Sequence, residues 1–235
     1  MRQIGGPIVP NDIVSLVSDV SGILPAVNGG TGGAYGFVYN PAPANLGFSG
    51  ASATHTAGPA LAFGDLCFMG PDGKWWKGIG NLSSVWAAGH AYNIGDVIKP
   101  TATQTYFLFC TTAGTSAAVT EPSWNTTIGA TTADGTGALV WTTIQYTSIA
   151  VRRMALATIN AGATGLFLEK GYVRNDAWTA VSSGCSTYLD SSTPGAYTVT
   201  PPVTAGNIQQ IIGRAASQTK TIFFNPEFSM IQVGP

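Results

Sequence analysis

Charged residues are scarce in this chain of 235 residues. Lysine and arginine total 10, aspartate and glutamate total 11, and together they make up 9% of the sequence, against roughly a quarter in ordinary globular proteins. The net charge of −1 excludes the basic surface that nucleic-acid binding requires. Hydrophobic residues nevertheless make up 45%, so the chain can bury a core. A weakly charged surface rich in Thr, Ser and Gly favours packing against copies of the same chain, with a neutral β-rich monomer as the alternative.

Long apolar runs and paired cysteines are also lacking. No apolar stretch reaches the roughly 18 residues of a membrane-spanning helix, and the N-terminus MRQIGGPIVPND has no apolar core of a signal peptide. We therefore expect neither membrane insertion nor secretion by the usual route. Cys67, Cys110 and Cys185 lie far apart without metal-ligand spacing. We expect all three to be small buried hydrophobic residues, and we expect no metal or cofactor.

The sequence does contain a β-domain that another segment interrupts. Residues 62–77 (AFGDLCFMGPDGKWWK) predict strand, turn and strand, and the pattern resumes only at residues 149–160 (IAVRRMALATIN). Loops at a surface tolerate such insertions. We therefore predict a discontinuous β-domain of residues 34–83 plus 146–235 and an inserted β-module of residues 84–145.

Residues 1–33 predict an extended N-terminal arm that ends in a glycine-rich linker. Asn11 and Asp12 could cap a short helix whose apolar positions run from Ile13 to Val20 at helical spacing. The following segment, LPAVNGGTGG at 24–33, lacks the Lys-Ser/Thr of a phosphate-binding loop. A hinge or tight turn is the better interpretation.

The discontinuous domain contains a hairpin and several later strands. Gly70 to Gly73 form the predicted turn, and Trp75 and Trp76 should point to opposite faces, one into the core and the other to solvent or a subunit interface. Gly171 is a candidate β-bulge. The later predicted strands are 154–160, 166–173, 187–190, 195–200, 209–215 and 221–225.

The inserted module is marked by aromatic residues. Trp86 and Trp141 bracket it, and we expect them to pack together near its base. The module has more aromatic residues than so small a core needs, so some should be exposed. Aromatic rings bury the C–H faces of sugars, and the candidate glycan-binding residues are Tyr92, Trp124, Tyr106, His90 and Glu121. For Tyr92 and Trp124, a place in the module's own core is an equally good interpretation.

Three groups of motifs, in this order, resemble structural proteins of tailed bacteriophages. The segments are GDLCFMGPDGKWWK, then ATINAGATGLFLEKGYVRNDAW, then TYLDSSTPGAYTVTPPVTAGNIQQIIGRA with TIFFNP. They are similar to a β-domain of tail-fibre and capsid-decoration (cement) proteins. The linker LPAVNGGTGG resembles one frequent in tail fibres. The insert, with GDV, EPSW, DGT and a final Trp, resembles small carbohydrate-binding modules.

The resemblance implies a homotrimer in the virion, at the tail or on the capsid surface, assembled in the cytoplasm of the host bacterium. Its implied partners are other virion proteins and a bacterial surface polysaccharide. The short region before NGGTGG favours the decoration protein, because most fibres carry a long tail-anchoring region there.

The sequence offers little support for catalysis. A glycosidase needs two carboxylates flanking the bond, but Asp72 and Asp134 precede glycines in turns, and nothing requires Glu169 and Asp176 to meet. His55 and His90 adjoin no nucleophile motif. We therefore predict a binding protein rather than an enzyme.

The whole sequence predicts an all-β fold. It combines an extended arm, an interrupted β-sandwich or barrel-like domain, and a small inserted β-module. The first function hypothesis is a trimeric tail-fibre or fibre-tip protein whose module attaches to host glycan. The alternatives are a capsid decoration protein that stabilises the head shell and, third, a glycan-cleaving tailspike.

Overall fold

The chain is all-β, as the sequence predicts, with 41% of it in strands. The computed structural model describes residues 39–178, 184–216 and 220–234. The predicted arm helix and the glycine-rich linker lie outside these ranges. Among the described residues, helical structure is confined to a single 3-10 turn at Tyr146–Ile149, and no helix has the length and apolar composition needed to cross a membrane.

Seventeen strands are described, numbered in chain order. They are β1 Phe48–Thr56, β2 Leu66–Met69, β3 Trp75–Lys77, β4 Ala91–Tyr92, β5 Val97–Ile98, β6 Tyr106–Thr112, β7 Gly114–Thr115, β8 Thr131–Ala133, β9 Val140–Gln145, β10 Arg153–Ala155, β11 Thr164–Arg174, β12 Ser186–Leu189, β13 Tyr197–Thr198, β14 Ile208–Gln209, β15 Ile211–Ala215, β16 Thr221–Phe224 and β17 Ile231–Gln232.

The long strand β11 organises a curled, nine-stranded antiparallel sheet. One edge of β11 pairs with β1 along its length. The other edge pairs with β10 in its first half, through Phe167 and Leu168, and with β16 in its second half, from Gly171 onward. The strands β2 and β3 extend the first branch, and β15, β12 and β13 extend the second. A cluster of buried side chains from both branches forms the main core.

A β-bulge lets both halves of β11 face this core. The register between β1 and β11 shifts at Ala51 and Ser52, which pair with Lys170 and Leu168 and leave Glu169 without a partner on β1. Side chains alternate along a strand, so one extra residue changes which positions face inward. Leu168 and Val173 are both fully buried in the main core for this reason. The bulge was predicted at Gly171 and lies at Glu169 instead.

The hairpin of β2 and β3 is confirmed, but the prediction that one of its tryptophans is exposed was wrong. Trp75 and Trp76 point to opposite faces and are 3% and 7% exposed. Trp75 packs with Phe167 in one cluster. Trp76 packs in another cluster with Phe109, which belongs to residues 84–145, the predicted insert that we call the inserted segment. Both faces of this branch of the sheet are covered, so neither ring reaches solvent.

The strand predicted over 209–215 is broken at Gln210. The Gln210 side chain is fully buried and takes the place of a paired backbone. Its Oε1 accepts a hydrogen bond from the Val151 amide (2.9 Å), and its Nε2 donates one to the Val151 carbonyl (2.9 Å). Nε2 also donates to the Glu227 carbonyl (2.7 Å). The interruption separates β14 from β15, and the glutamine joins three segments of the domain.

The inserted segment pairs its strands only with one another among the described residues. The strands β5, β6, β9 and β8 form one sheet, and β4 pairs with β7. One core cluster lies within the segment. A second cluster combines Val97, Phe107 and Phe109 of the segment with Phe68 and Trp76 of the β2–β3 hairpin. The segment therefore shares apolar contacts with the discontinuous domain in addition to having a core of its own.

The cysteines follow the predicted burial in two of three cases. Cys67 and Cys110 are fully buried, whereas Cys185 is exposed. Burial raises the pKa of the Cys110 thiol to about 12 and raises that of Cys67 further. Both are therefore inert as nucleophiles at neutral pH. The prediction that Cys185 is buried was wrong, because this residue precedes β12 at the surface.

Candidate functional site

A buried carboxylate holds the core of the inserted segment together. Asp134 is 1% exposed, and its Oδ2 accepts hydrogen bonds from the indole N–H groups of Trp86 (2.8 Å) and Trp141 (3.2 Å). Its Oδ1 accepts the Ala117 amide (3.0 Å). A buried carboxylate needs such donors to offset its lost hydration. Trp86 and Trp141 belong to one cluster, as expected, and Asp134 joins their polar edges.

Four rings form a continuous row across this segment, which we call the aromatic row: His90, Tyr92, Trp141 and Trp124. Successive centroids lie 4.6, 4.8 and 6.4 Å apart, and each pair is edge-to-face. Such contacts stabilise aromatic pairs beyond the area they bury. The middle rings are buried, His90 is exposed and Trp124 is half-buried. The row therefore reaches the surface at its two ends.

The His90 end of the aromatic row opens into a groove of about 380 Å³. We call it the His90 groove, and its polar lining includes Ser84, His90, Tyr92 and Asp96. The Tyr92 hydroxyl oxygen accepts the Ala87 amide (2.8 Å). Burial raises the pKa of Tyr92, with the Ala87 hydrogen bond opposing that rise and the Asp134 carboxylate adding to it. The hydroxyl stays protonated and keeps its own proton to donate.

Asp96 supplies a carboxylate at the other side of the His90 groove. Its Oδ2 accepts the Asn93 amide (2.8 Å), which fixes the turn before β5. Gly95, in the same turn, has φ 96°, and its backbone lies against the Trp76 ring. A side chain here would be strained and would collide with that ring. The turn that carries Asp96 is therefore held by the hairpin of the discontinuous domain.

The Trp124 end carries a second polar group. The Trp124 indole N–H donates to Oε1 of Glu121 (2.7 Å). Glu121 also accepts the amide and the hydroxyl of Thr101. These bonds fix Glu121 and Trp124 to each other and to the loop after β5.

Tyr106 is not one of the four rings of the aromatic row, but it packs in the same cluster as Tyr92 and Trp141 and lies near Glu121. It is 7% exposed, belongs to the segment's core and lines a different groove together with Thr126 and Gln145. Burial raises the pKa of its hydroxyl.

The candidate residues are thus divided among three places: His90 and Tyr92 in one groove, Trp124 and Glu121 in a hydrogen-bonded pair, and Tyr106 in another groove. The expectation that some of the surplus aromatic residues are exposed is met only in part, by Trp124. Trp86, Tyr92, Tyr106 and Trp141 are all buried, and Trp124 is half-buried. The Asp134 hydrogen bonds satisfy the buried indole groups of Trp86 and Trp141, and Tyr92 packs edge-to-face on Trp141. A ligand would therefore contact the edges of these rings and the polar groups beside them, rather than an exposed flat ring face.

Sequence reasoning missed the two carboxylates that shape this site. Asp134 reads as a turn residue because Gly135 follows it, and nothing local reveals its tryptophan partners. Asp96 reads as a strand-entry residue. Asp96 lies four residues after Tyr92, across a tight turn. This spacing could have indicated the site, because such a turn brings the two side chains to one surface.

The acidic and histidine side chains that the structure describes do not gather into a metal site. Within residues 39–178, 184–216 and 220–234, no group of three His, Cys, Asp or Glu side chains is placed to hold an ion. His55 lies away from the inserted segment, against the rings of Trp75 (5.3 Å) and Phe167 (5.8 Å). Burial and the nearby Arg153 lower its pKa, while Glu169 opposes them.

Comparison with known proteins adds no identification: no family model matches the chain, and no curated protein or solved structure matches it significantly.

Proposed function

We propose that this chain is a structural protein of a tailed bacteriophage virion, a homotrimeric tail-fibre or fibre-tip protein that attaches to a bacterial surface glycan. In this proposal the inserted segment is the binding module, and the protein is not an enzyme. The order of the phage-like motifs along the sequence supports the assignment to a virion. The observation that carries the binding role is the His90 groove.

The His90 groove has the chemistry that a sugar ring needs. Sugars combine hydroxyl groups, which donate and accept hydrogen bonds, with apolar C–H faces that pack on aromatic rings. The groove offers the Asp96 carboxylate as an acceptor, the Tyr92 hydroxyl as a donor and the exposed His90 ring as a packing surface. Its volume of about 380 Å³ is near the lower end of the roughly 300–1,000 Å³ of small-ligand sites.

The trimer follows from the resemblance and is supported by exposed apolar side chains on the discontinuous domain. Val203, Phe228 and Ile231 are 76%, 67% and 65% exposed. Apolar side chains that form a contiguous patch at a surface mark places where other proteins bind, and a trimer contact would cover them. Sedimentation velocity of the purified chain should give the mass of three copies, and a monomer at micromolar concentration would contradict the trimer.

Binding can be tested by adsorption of the purified protein to host cells. His90→Ala and Asp96→Asn should each weaken adsorption by about tenfold or less, because each removes a contact worth about 1 kcal/mol. Val119→Ala is the matched control, since Val119 is 85% exposed in the same segment and is absent from the groove lining. Unchanged adsorption in both groove variants would refute the binding role.

The place in the virion can be tested separately by immunogold electron microscopy with an antibody to residues 84–145. Label at the tail end supports the attachment protein. Label over the head supports the alternative, a capsid decoration protein, for which the same exposed apolar side chains would face the shell. Release of reducing sugar from host envelope by the purified protein would contradict the non-enzymatic assignment and support a tailspike.

A further inference from the structure

A second pocket lies on the discontinuous domain, away from the inserted segment. It has a volume of about 270 Å³. The side chains that carry its chemistry are Ser186, Arg214, Phe223, Asn225 and Glu227. They come from β12, β15, β16 and the chain that follows β16.

Strand register fixes the floor and one wall of this pocket. Ser186 pairs with Arg214, and Arg214 pairs with Phe223. Directly paired residues point to the same face of a sheet. The neighbours of Phe223 in β16, Ile222 and Phe224, are buried in the main core, so this row projects from the opposite, outer face.

Phe223, the aromatic residue of the pocket lining, packs against two further rings that are outside the lining. Phe223 also pairs with Tyr172 of β11, and their ring centroids are 4.9 Å apart. The centroid of the Tyr39 ring lies 6.5 Å from the centroid of the Phe223 ring. These contacts hold the Phe223 ring in place, and the ring itself is half-buried.

The opposite wall is held by backbone hydrogen bonds. The Asn225 amide donates to the Ile212 carbonyl (3.1 Å), and the Glu227 amide donates to the Ile211 carbonyl (2.9 Å). The Glu227 carbonyl in turn accepts from the buried Gln210 side chain (2.7 Å). These bonds fix the backbone at the two positions where Asn225 and Glu227 line the pocket.

Arg214, Asn225 and Glu227 are exposed and Ser186 is half-buried, so the polar side chains of the pocket meet solvent. Within the described parts of the chain, no hydrogen bond or ion pair is formed by the guanidinium of Arg214, the carboxylate of Glu227, the side-chain amide of Asn225 or the hydroxyl of Ser186. A donor-only group, an acceptor-only group and two groups that do both therefore converge beside an aromatic ring. Opposite charges on Arg214 and Glu227 favour a ligand without net charge.

We propose that this pocket binds one neutral sugar unit, a hexose or an N-acetylhexosamine, as a second glycan site independent of the inserted segment. In this site Arg214 would donate to the hydroxyl groups of the sugar and Glu227 would accept from them, while an edge of the sugar contacts Phe223. The volume is slightly below that of sites for drug-sized ligands, which suits a single ring. We call this pocket the Phe223 pocket.

Saturation-transfer NMR on the full chain tests this proposal. The probes are D-glucose, D-galactose, N-acetyl-D-glucosamine and D-glucuronate. At least one neutral sugar should give a saturation signal. A stronger signal from D-glucuronate than from every neutral sugar would show that Arg214 selects an anion, which would overturn the assignment of a neutral ligand. Absence of signal from all three neutral sugars would overturn the proposal.

Variants locate the signal in the protein. Phe223→Ala should weaken sugar affinity about fivefold, the order expected for loss of an aromatic contact, and Glu227→Gln should weaken it without removing any apolar surface. Phe228→Ala is the matched control, because Phe228 is an exposed phenylalanine outside the pocket lining. Far-UV circular dichroism verifies that each variant folds.

Two further outcomes separate this site from the others. A signal lost in His90→Ala but unchanged in Phe223→Ala and Glu227→Gln would support the His90 groove and overturn the Phe223 pocket. A Phe223→Ala protein with unchanged sugar affinity but a changed sedimentation coefficient would mean that this face contacts another copy of the chain, which also overturns the proposal.

Discussion

At the scale of single residues, Asp134 is the most consequential side chain of the inserted segment. One carboxylate accepts the indole N–H groups of Trp86 and Trp141 and the amide of Ala117. Two tryptophans can be buried in so small a core because their polar edges are satisfied there. Without Asp134, both N–H groups would be buried without a partner.

Asp134→Asn should lower the free energy of unfolding by about 1.5–3 kcal/mol, because hydrogen bonds to a charged acceptor become bonds to a neutral one. Guanidinium denaturation monitored by tryptophan fluorescence measures the change. Asp72→Asn is the control: Asp72 also accepts an indole N–H, from Trp76 at 3.0 Å, but is itself exposed. Equal losses in the two variants would show that burial of Asp134 is not what matters.

At the scale of elements, the break between β14 and β15 shows how a side chain can take the place of a strand. Gln210 bonds both the amide and the carbonyl of Val151, as a neighbouring backbone would, and also reaches the carbonyl of Glu227. The segment after the inserted module is thereby tied to two C-terminal segments that follow β13 and β16. The same glutamine holds the wall of the Phe223 pocket.

Gln210→Met keeps the volume but leaves three backbone groups without partners, and each such group costs about 1–3 kcal/mol when buried. We expect a loss of about 3 kcal/mol or more in the free energy of unfolding by urea denaturation. The control is Gln209→Met, because Gln209 is half-buried and its amide makes one bond, to Pro202 (2.6 Å). A loss in Gln210→Met no larger than in the control would contradict the bridging role.

At the scale of the whole molecule, the inserted segment is joined to the discontinuous domain by a shared apolar cluster. Phe109, from β6, lies edge-on to Trp76 (5.2 Å) and to Phe68 (6.3 Å) of the β2–β3 hairpin. All three are buried. The two parts therefore stabilise each other, and the described chain should unfold as a unit.

Phe109→Ala should test this coupling. It leaves a cavity between the two parts and should cost about 3–5 kcal/mol. Differential scanning calorimetry should show one transition in the parent and one, at lower temperature, in the variant. Two transitions, with the variant shifting only one, would show that the segments unfold independently.

Sequence alone determined the fold class and the positions of several elements. Glycine-rich turns beside β-branched and aromatic runs predict an all-β chain, and the turn at 70–73 predicts the β2–β3 hairpin, because these signals act between neighbours in sequence. Tertiary structure decided the rest. The burial of Trp76, the break at Gln210 and the hydrogen bonds of Asp134 depend on groups distant along the chain. The same is true of the grooves: the aromatic candidates were identifiable by type, but whether a ring is core or surface depends on which strand packs over it.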